Sequence, residues 1–162
     1  MNILLLGSGG REHAFAHALS GGKMCTQLFI APGNPGTAQC GTNIPINILD
    51  FESVASFCIK NSIGMLVVGP EEPLVRGLRD YLEAEKQLAD MLIIGPGAAG
   101  AMLEGSKDFS KAFMKRHQIP TARSQSFHQG QLSEAIAYLK TRKAPFVIKA
   151  SGLAAGKGVV IA

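Results

Sequence analysis

The stretch NILLLGSGGREH, Asn2–His13, decides how the first half of the chain reads. Asn2–Leu6 is a short apolar strand, GSGG is a turn, and a helix is expected through Ala14–Leu19. The succession then returns along the chain. Leu28–Ala31 is a second strand, followed by PGNPGT. After Ile44–Ile46, a helix from about Phe51 to Lys60 carries Val54, Phe57 and Cys58 at helical spacing. MLVVG (Met65–Gly69) leads into PEEPL and a helix through Leu78 and Leu82, and MLIIG (Met91–Gly95) leads into PGAAG. Strands that are apolar throughout, separated by helices, belong to a parallel sheet covered on both faces. The expected class is α/β, a Rossmann-like, doubly wound fold.

The special residues fall after strand ends. Gly7, Gly9, Gly10, Pro32, Gly33, Gly36, Gly69, Pro70, Gly95 and Gly97 all do so. In a parallel sheet those ends share one edge, where backbone N–H groups can approach a small polar ligand. A dinucleotide is disfavoured, because G-x-G-x-x-G needs glycine where Glu12 stands and no acid follows the second strand. Glu71 and Glu72, in a strand-end loop, are placed to accept hydrogen bonds from sugar hydroxyls or an amine, or simply face solvent. Arg11 suits a phosphate, or only opens the helix. His13 and His17 share a helix face, but Glu12 precedes rather than follows the first histidine and no third ligand is evident, so surface or packing roles are expected.

Charge divides the 162 residues unevenly. Residues 1–103 hold 6 Lys/Arg against 9 Asp/Glu, a net −3; residues 104–162 hold 10 against 3, a net +7. No basic run interleaved with aromatics appears, which argues against nucleic acid as a partner. Cys25, Cys40 and Cys58 are odd in number and widely spaced, as expected of reduced thiols in a cytoplasmic protein. The opening apolar run is too short for a signal peptide or membrane span. A cytoplasmic protein with no membrane partner is expected.

From Leu103 the pattern changes. EGSKDFSKAFMKRHQIPTA reads as one amphipathic helix with Ser106 as N-cap and Pro120 ending it; Phe109, Ala112, Phe113 and Met114 form its apolar face. Ala122–Phe127 is an expected strand and Leu132–Leu139 an expected helix. PFVIKA is a strand of buried character, and KASGLAAGKGVVIA (Lys149–Ala162) follows as glycine loop and second strand. The loop is no Walker A: three residues, not four, separate Gly152 from Gly156, and Gly158 stands where Ser/Thr should. Strand, glycine loop, strand is instead a hairpin able to cover a nucleotide, with Lys157 supplying a cation. Lys149, ending an apolar strand, would find its partner in a phosphate or extend its ammonium into water. The apolar run Val159–Ala162 suggests the front part of a longer protein.

GSGGREHA, APGNPGT, VVGPEEPLVRGL, GPGAAGAMLEGSKDFSKAFM, IPTA and VIKASGLAAGKGV occur in an order and spacing that resemble the glycinamide ribonucleotide synthetase (phosphoribosylamine–glycine ligase) family of purine biosynthesis. This is an ATP-grasp family, and the resemblance covers essentially the whole chain. It implies a substrate-side domain over 1–103 and the beginning of an ATP-grasp domain over 104–162. It further implies ATP and Mg2+ (or Mn2+) as cofactors, with glycine and phosphoribosylamine as substrates. ATP binding falls to Lys107, Lys149, Gly152, Leu153, Ala154, Ala155, Gly156, Lys157 and Gly158, and the phosphoribosylamine side to Gly9, Gly10, Arg11 and Glu71. Metal ligands are expected beyond residue 162, in a missing C-terminal part, so this portion is expected to be inactive alone. Ser151 departs from the Asp found in many members. Two rival readings are another ATP-grasp ligase, such as a carboxylase, and a non-catalytic module that keeps only the sugar-phosphate site.

Overall fold

Ile3, Leu4, Leu5 and Leu6 are all buried, which a strand allows only where both faces are covered. They form β1 (Asn2–Gly7), the middle of a five-stranded sheet in a computed structural model that describes residues 1–153 and 158–162. The chain divides into two units, 1–101 and 102–162. In the first, β1 leads to α1 (Gly10–Ser20), β2 (Gln27–Pro32), β3 (Thr42–Asn43) and α2 (Phe51–Lys60). Then come β4 (Ile63–Val68), α3 (Glu71–Val75), α4 (Leu78–Glu83) and β5 (Leu92–Ile94), and α5 (Ala98–Gly105) spans the boundary at residue 101. All pairings are parallel, in the order β3-β2-β1-β4-β5.

The chain therefore steps outward from β1 to β3, then returns to build β4 and β5 on the other side. That reversal sets the loop after β1 beside the loop after β4, the usual ligand edge of such sheets. Gly69 N–H donates to Leu6 O at 3.0 Å, and Gly33 N–H to Gly7 O at 3.2 Å. Ile44–Ile46 lies just past β3, with Ile44 N–H still bonded to Ile30 O at 2.8 Å.

Alternate strand residues sort to opposite faces. Leu4, Leu6, Leu66 and Val68 pack with Val54, Cys58, Leu78 and Leu82 from α2 and α4. Ile3, Leu5, Leu28, Ile30 and Val67 pack on the other face with Ala16 of α1. Each buried leucine is worth about 1.5–3 kcal/mol relative to exposure. Two buried side chains are polar, Thr37 and Glu12. Glu12, on α1, is 5% exposed, and it fits because the chain is glycine at both neighbouring strand ends. A Cβ on Gly69 would stand 2.5 Å from Glu12 Cγ, and one on Gly7 would overlap the same atom. Gly7 also has φ +126°, a conformation side chains rarely adopt.

The second unit contains α6 (Lys107–Arg116), α7 (Leu132–Lys140), β6 (Val147–Lys149) and β7 (Val159–Ile161). Ser106 is the N-cap of α6, its hydroxyl accepting Phe109 N–H at 3.2 Å. Pro120 does not end this helix. The stop comes earlier, where Gln118 takes φ +56° while its N–H reaches Lys115 O (3.3 Å) and Ile119 N–H reaches Met114 O (2.8 Å). That is a Schellman closure, made here without glycine.

Two further expectations fail in this unit. Ala122–Phe127 is irregular, because its polar contacts go to α6 side chains: Lys111 Nζ donates to Ala122 O (2.8 Å), and Ser126 Oγ donates to Asp108. The strand PFVIKA and the run after Gly158 do form the antiparallel pair β6–β7, but neither is buried; Ile148 is 52% and Val160 59% exposed. No described residue beyond Ala101 is buried, so apolar strand composition has no core to enter among them.

Replacing Gly69 with Ala should cost about 1–3 kcal/mol in urea unfolding, because the new methyl meets Glu12. In a Glu12→Ala background the same replacement should cost at least about 1 kcal/mol less. Burial pushes the Cys58 thiol up to about 12. A thiol reagent at about pH 8 should therefore modify Cys25 and Cys40 first and reach Cys58 only on unfolding.

Candidate functional site

The ligand edge of the first unit is organised by Glu12. Its Oε2 accepts the Gly9 N–H at 2.7 Å, so the N-terminus of α1 is capped from within by its own first turn. Its Oε1 accepts Arg11 Nε at 3.0 Å. The Arg11 side chain is 59% exposed and its second nitrogen lies 3.7 Å from Glu71 Oε2. Arg11 holds its proton more firmly than an ordinary arginine, chiefly through the hydrogen bond to Glu12, with the charges of Glu12 and Glu71 adding to it. Gly9, Gly10, Arg11 and Glu71 are thus brought to one edge, with Gly9, Gly10 and the guanidinium open to solvent. Glu71 and Glu72 open α3 rather than lying in a loop; Pro70 can precede them because a helix start needs no N–H there. Glu72 turns to Arg76 at 2.6 Å, leaving Glu71 as the acid that faces Arg11.

A second loop is tied to this edge by residues that sequence reasoning passed over. Asn34 Oδ1 accepts Gly36 N–H (2.7 Å) and Thr37 N–H (2.9 Å), while its Nδ2 donates to Ser8 O at 2.9 Å. Thr37, fully buried, and Asn43 complete the network, with Asn43 Nδ2 donating to Asn34 O at 2.8 Å. The signal was the Asn within PGNPGT, a residue type that stabilises turns through its side chain. His13 packs its ring against Gly36, where a Cβ would lie 2.6 Å from Cε1. The loop after β5 is closed by α4: Arg79 donates to Gly95 O (2.6 Å), and Ala98 N–H donates to Asp80 (2.7 Å).

In the second unit the first turn of α6 meets the start of the glycine loop. Lys107 Nζ donates to Gly152 O at 2.8 Å, and Gly152 turns the chain with φ +92°. Asp108 receives Ser126, whose hydrogen bond is the main cause holding its carboxyl below the usual range; Ser151 contributes in the same direction. Ala150 N–H donates to Gly158 O at 2.8 Å, closing the hairpin beneath the loop. Lys149 ends β6 opposite Val159 and is exposed, so its ammonium reaches water without cost. Leu153 is 41% exposed. Ala154, Ala155, Gly156 and Lys157 lie outside the described residues. Among the described residues no three His, Cys, Asp or Glu side chains gather into a metal-ligand set, and no helix is long and apolar enough to cross a membrane.

Residues 1–104 match the family model described as phosphoribosylglycinamide synthetase, N domain, and residues 105–162 match the ATP-grasp (A) domain of the same synthetase. The chain is 48% identical, over its whole length, to a phosphoribosylamine–glycine ligase of Pasteurella multocida, and it spans 37% of that protein. A crystal structure of phosphoribosylamine–glycine ligase from Thermotoga maritima superposes with a TM-score of 0.69 at 34% identity, over 99% of this chain and 36% of that one. The biotin carboxylase domain of Hydrogenobacter thermophilus 2-oxoglutarate carboxylase, solved with MgADP, shares the fold at TM-score 0.68 and 19% identity, over 99% of this chain and 37% of that one. The chain thus spans little more than a third of the length of the relatives it matches. It is a member of the phosphoribosylglycinamide synthetase family, matching its N domain over 1–104 and its ATP-grasp (A) domain over 105–162.

Proposed function

We propose that this chain is the N-terminal portion of an ATP-dependent carbon–nitrogen ligase of purine biosynthesis, working in the cytoplasm. The reaction joins glycine to 5-phosphoribosylamine. ATP phosphorylates the glycine carboxylate to glycyl phosphate, releasing ADP. The amine of phosphoribosylamine then attacks the acyl carbon, phosphate leaves, and glycinamide ribonucleotide forms. The observation carrying this reading is that both units, end to end, match consecutive domains of one ligase family.

In this reading the edge around β1 receives phosphoribosylamine. Gly9, its own N–H held by Glu12, lets a ligand approach the backbone; the Gly10 N–H and the Arg11 guanidinium are donors, and Glu71 accepts from the ribose hydroxyls or the amine. The pair Arg11–Glu71 at 3.7 Å is loose enough for a ligand to share. Because Glu12 and Glu71 both face Arg11, the cluster is net negative by one, which favours the amine and hydroxyl end of the substrate over its phosphate.

The β6–β7 hairpin receives ATP. Lys107 and Lys149 provide fixed and exposed cations, Gly152, Leu153 and Gly158 flank the loop, and Ala154, Ala155, Gly156 and Lys157 belong to the same binding stretch. Cations and N–H donors of this kind neutralise charge on a transferring phosphoryl group. Magnesium would polarise the ATP phosphates, but no described residue set of this chain fits it, and we assign it none.

The chain alone should bind substrates yet show no ligase turnover in a coupled ADP-release assay with glycine, phosphoribosylamine and ATP; robust turnover would overturn the assignment as an incomplete portion. Glu71→Gln should weaken ribose 5-phosphate binding by about tenfold or more, as loss of a charge-assisted hydrogen bond does, measured by calorimetry. Lys149→Ala should weaken ATP binding and leave ribose 5-phosphate binding unchanged. A chain that responds to ribose 5-phosphate and not at all to MgATP would instead be a sugar-phosphate binding module.

A further inference from the structure

Beyond residue 103 the chain holds 10 Lys/Arg against 3 Asp/Glu. The four ion pairs among the described residues all lie within 1–101, so these cations draw no ion pair from described neighbours. Lys107, Lys149 and Lys157 are accounted for by the ATP site proposed above. Of the others, Lys111, Lys115, Arg123 and Arg142 line one groove of about 510 Å³, bounded by the C-terminal half of α6, residues 118–125 and α7. No Asp or Glu lines it. We propose that this groove is a second ligand site, separate from the glycine loop, for a phosphate ester of nucleotide size.

Two of the cations are held in place before any ligand arrives. Lys111 Nζ donates to Thr121 Oγ1 (2.7 Å) and Ala122 O (2.8 Å). The Arg142 guanidinium lies over the Tyr138 ring, 4.9 Å from its centroid, and that ring in turn packs on Phe127 at 5.7 Å. Fixing donors in advance lowers the entropy lost on binding. The Schellman closure at Gln118 turns the chain so that Ile119 joins the groove, 44% exposed. With Met114 and Tyr138 it adds an apolar surface among the cations. Four like charges around one hollow repel one another unless an anion shares it. The charged rim suits a phosphate, the apolar surface suits a ring, and the volume falls in the range of small-molecule sites.

The test is calorimetric titration of the 162-residue chain with AMP, and in parallel with inorganic pyrophosphate. Lys115 and Arg123 are exposed, so Lys115→Glu/Arg123→Glu should fold, as circular dichroism would verify. It should weaken AMP binding about a hundredfold, and the milder Lys115→Gln/Arg123→Gln about tenfold. Lys140→Ala, an exposed cation outside both the groove and the glycine loop, should leave AMP binding unchanged, and pyrophosphate should bind more weakly than AMP. The site is overturned if AMP does not bind, if both double variants bind it normally, or if Lys149→Ala alone abolishes binding. Pyrophosphate binding as tightly as AMP would overturn the ligand class.

Discussion

Much of the first unit depends on where one carboxylate sits. Glu12 is a polar residue in a nearly dry position, and such a group is tolerated only if its hydrogen bonds are made. They are made by Gly9 N–H and Arg11. This single placement dictates glycine at Gly7 and Gly69, holds the turn between β1 and α1, and aims Arg11 toward Glu71. Asn34 then fastens the neighbouring loop to Ser8 O, so two loops share one geometry. The edge behaves as a framework built around a buried acid rather than as a set of independent loops.

The fold class was legible because its signals are local. Continuous apolar runs such as ILLL and MLVV, each followed by glycine, can be satisfied only by a sheet covered on both faces. The helix over Phe51–Lys60 was likewise readable from spacing, and the cap at Ser106 from residue type. Glu12 shows where such reading stops. In sequence it marks a failed dinucleotide pattern; in the structure it fills the space that the pattern would leave empty. Asn34 is similar, since its bond to Ser8 O joins residues 26 positions apart and no local rule reports it.

The second unit misled for a different reason. Ala122–Phe127 reads as a strand, and apolar composition at Val159–Ile161 suggests one inside a core, yet strand propensity reflects the surface a residue packs on more than the residue itself. Among the described residues that surface is lacking, so the first segment stays irregular and the hairpin stays exposed. Pro120 was a reasonable stop signal for α6, but Gln118 had already turned the chain through a backbone conformation that only a minority of non-glycine residues adopt. The two units also differ electrostatically. The first neutralises charges internally through Glu72–Arg76 and Arg79–Glu83, whereas no ion pair is formed among the described residues of the second.

The acid at the head of α1 also bears on which anions the edge could admit. A helix N-terminus beside a glycine turn attracts phosphate, and abundant nicotinamide and flavin coenzymes carry a pyrophosphate shaped for that position. Here the chain brings its own negative charge to the spot. A pyrophosphate placed there would meet both repulsion and a filled volume, which disfavours these coenzymes at the edge despite a sheet of the type that often binds them. Discrimination against a common ligand of such sheets would thus rest on one side chain of the scaffold itself.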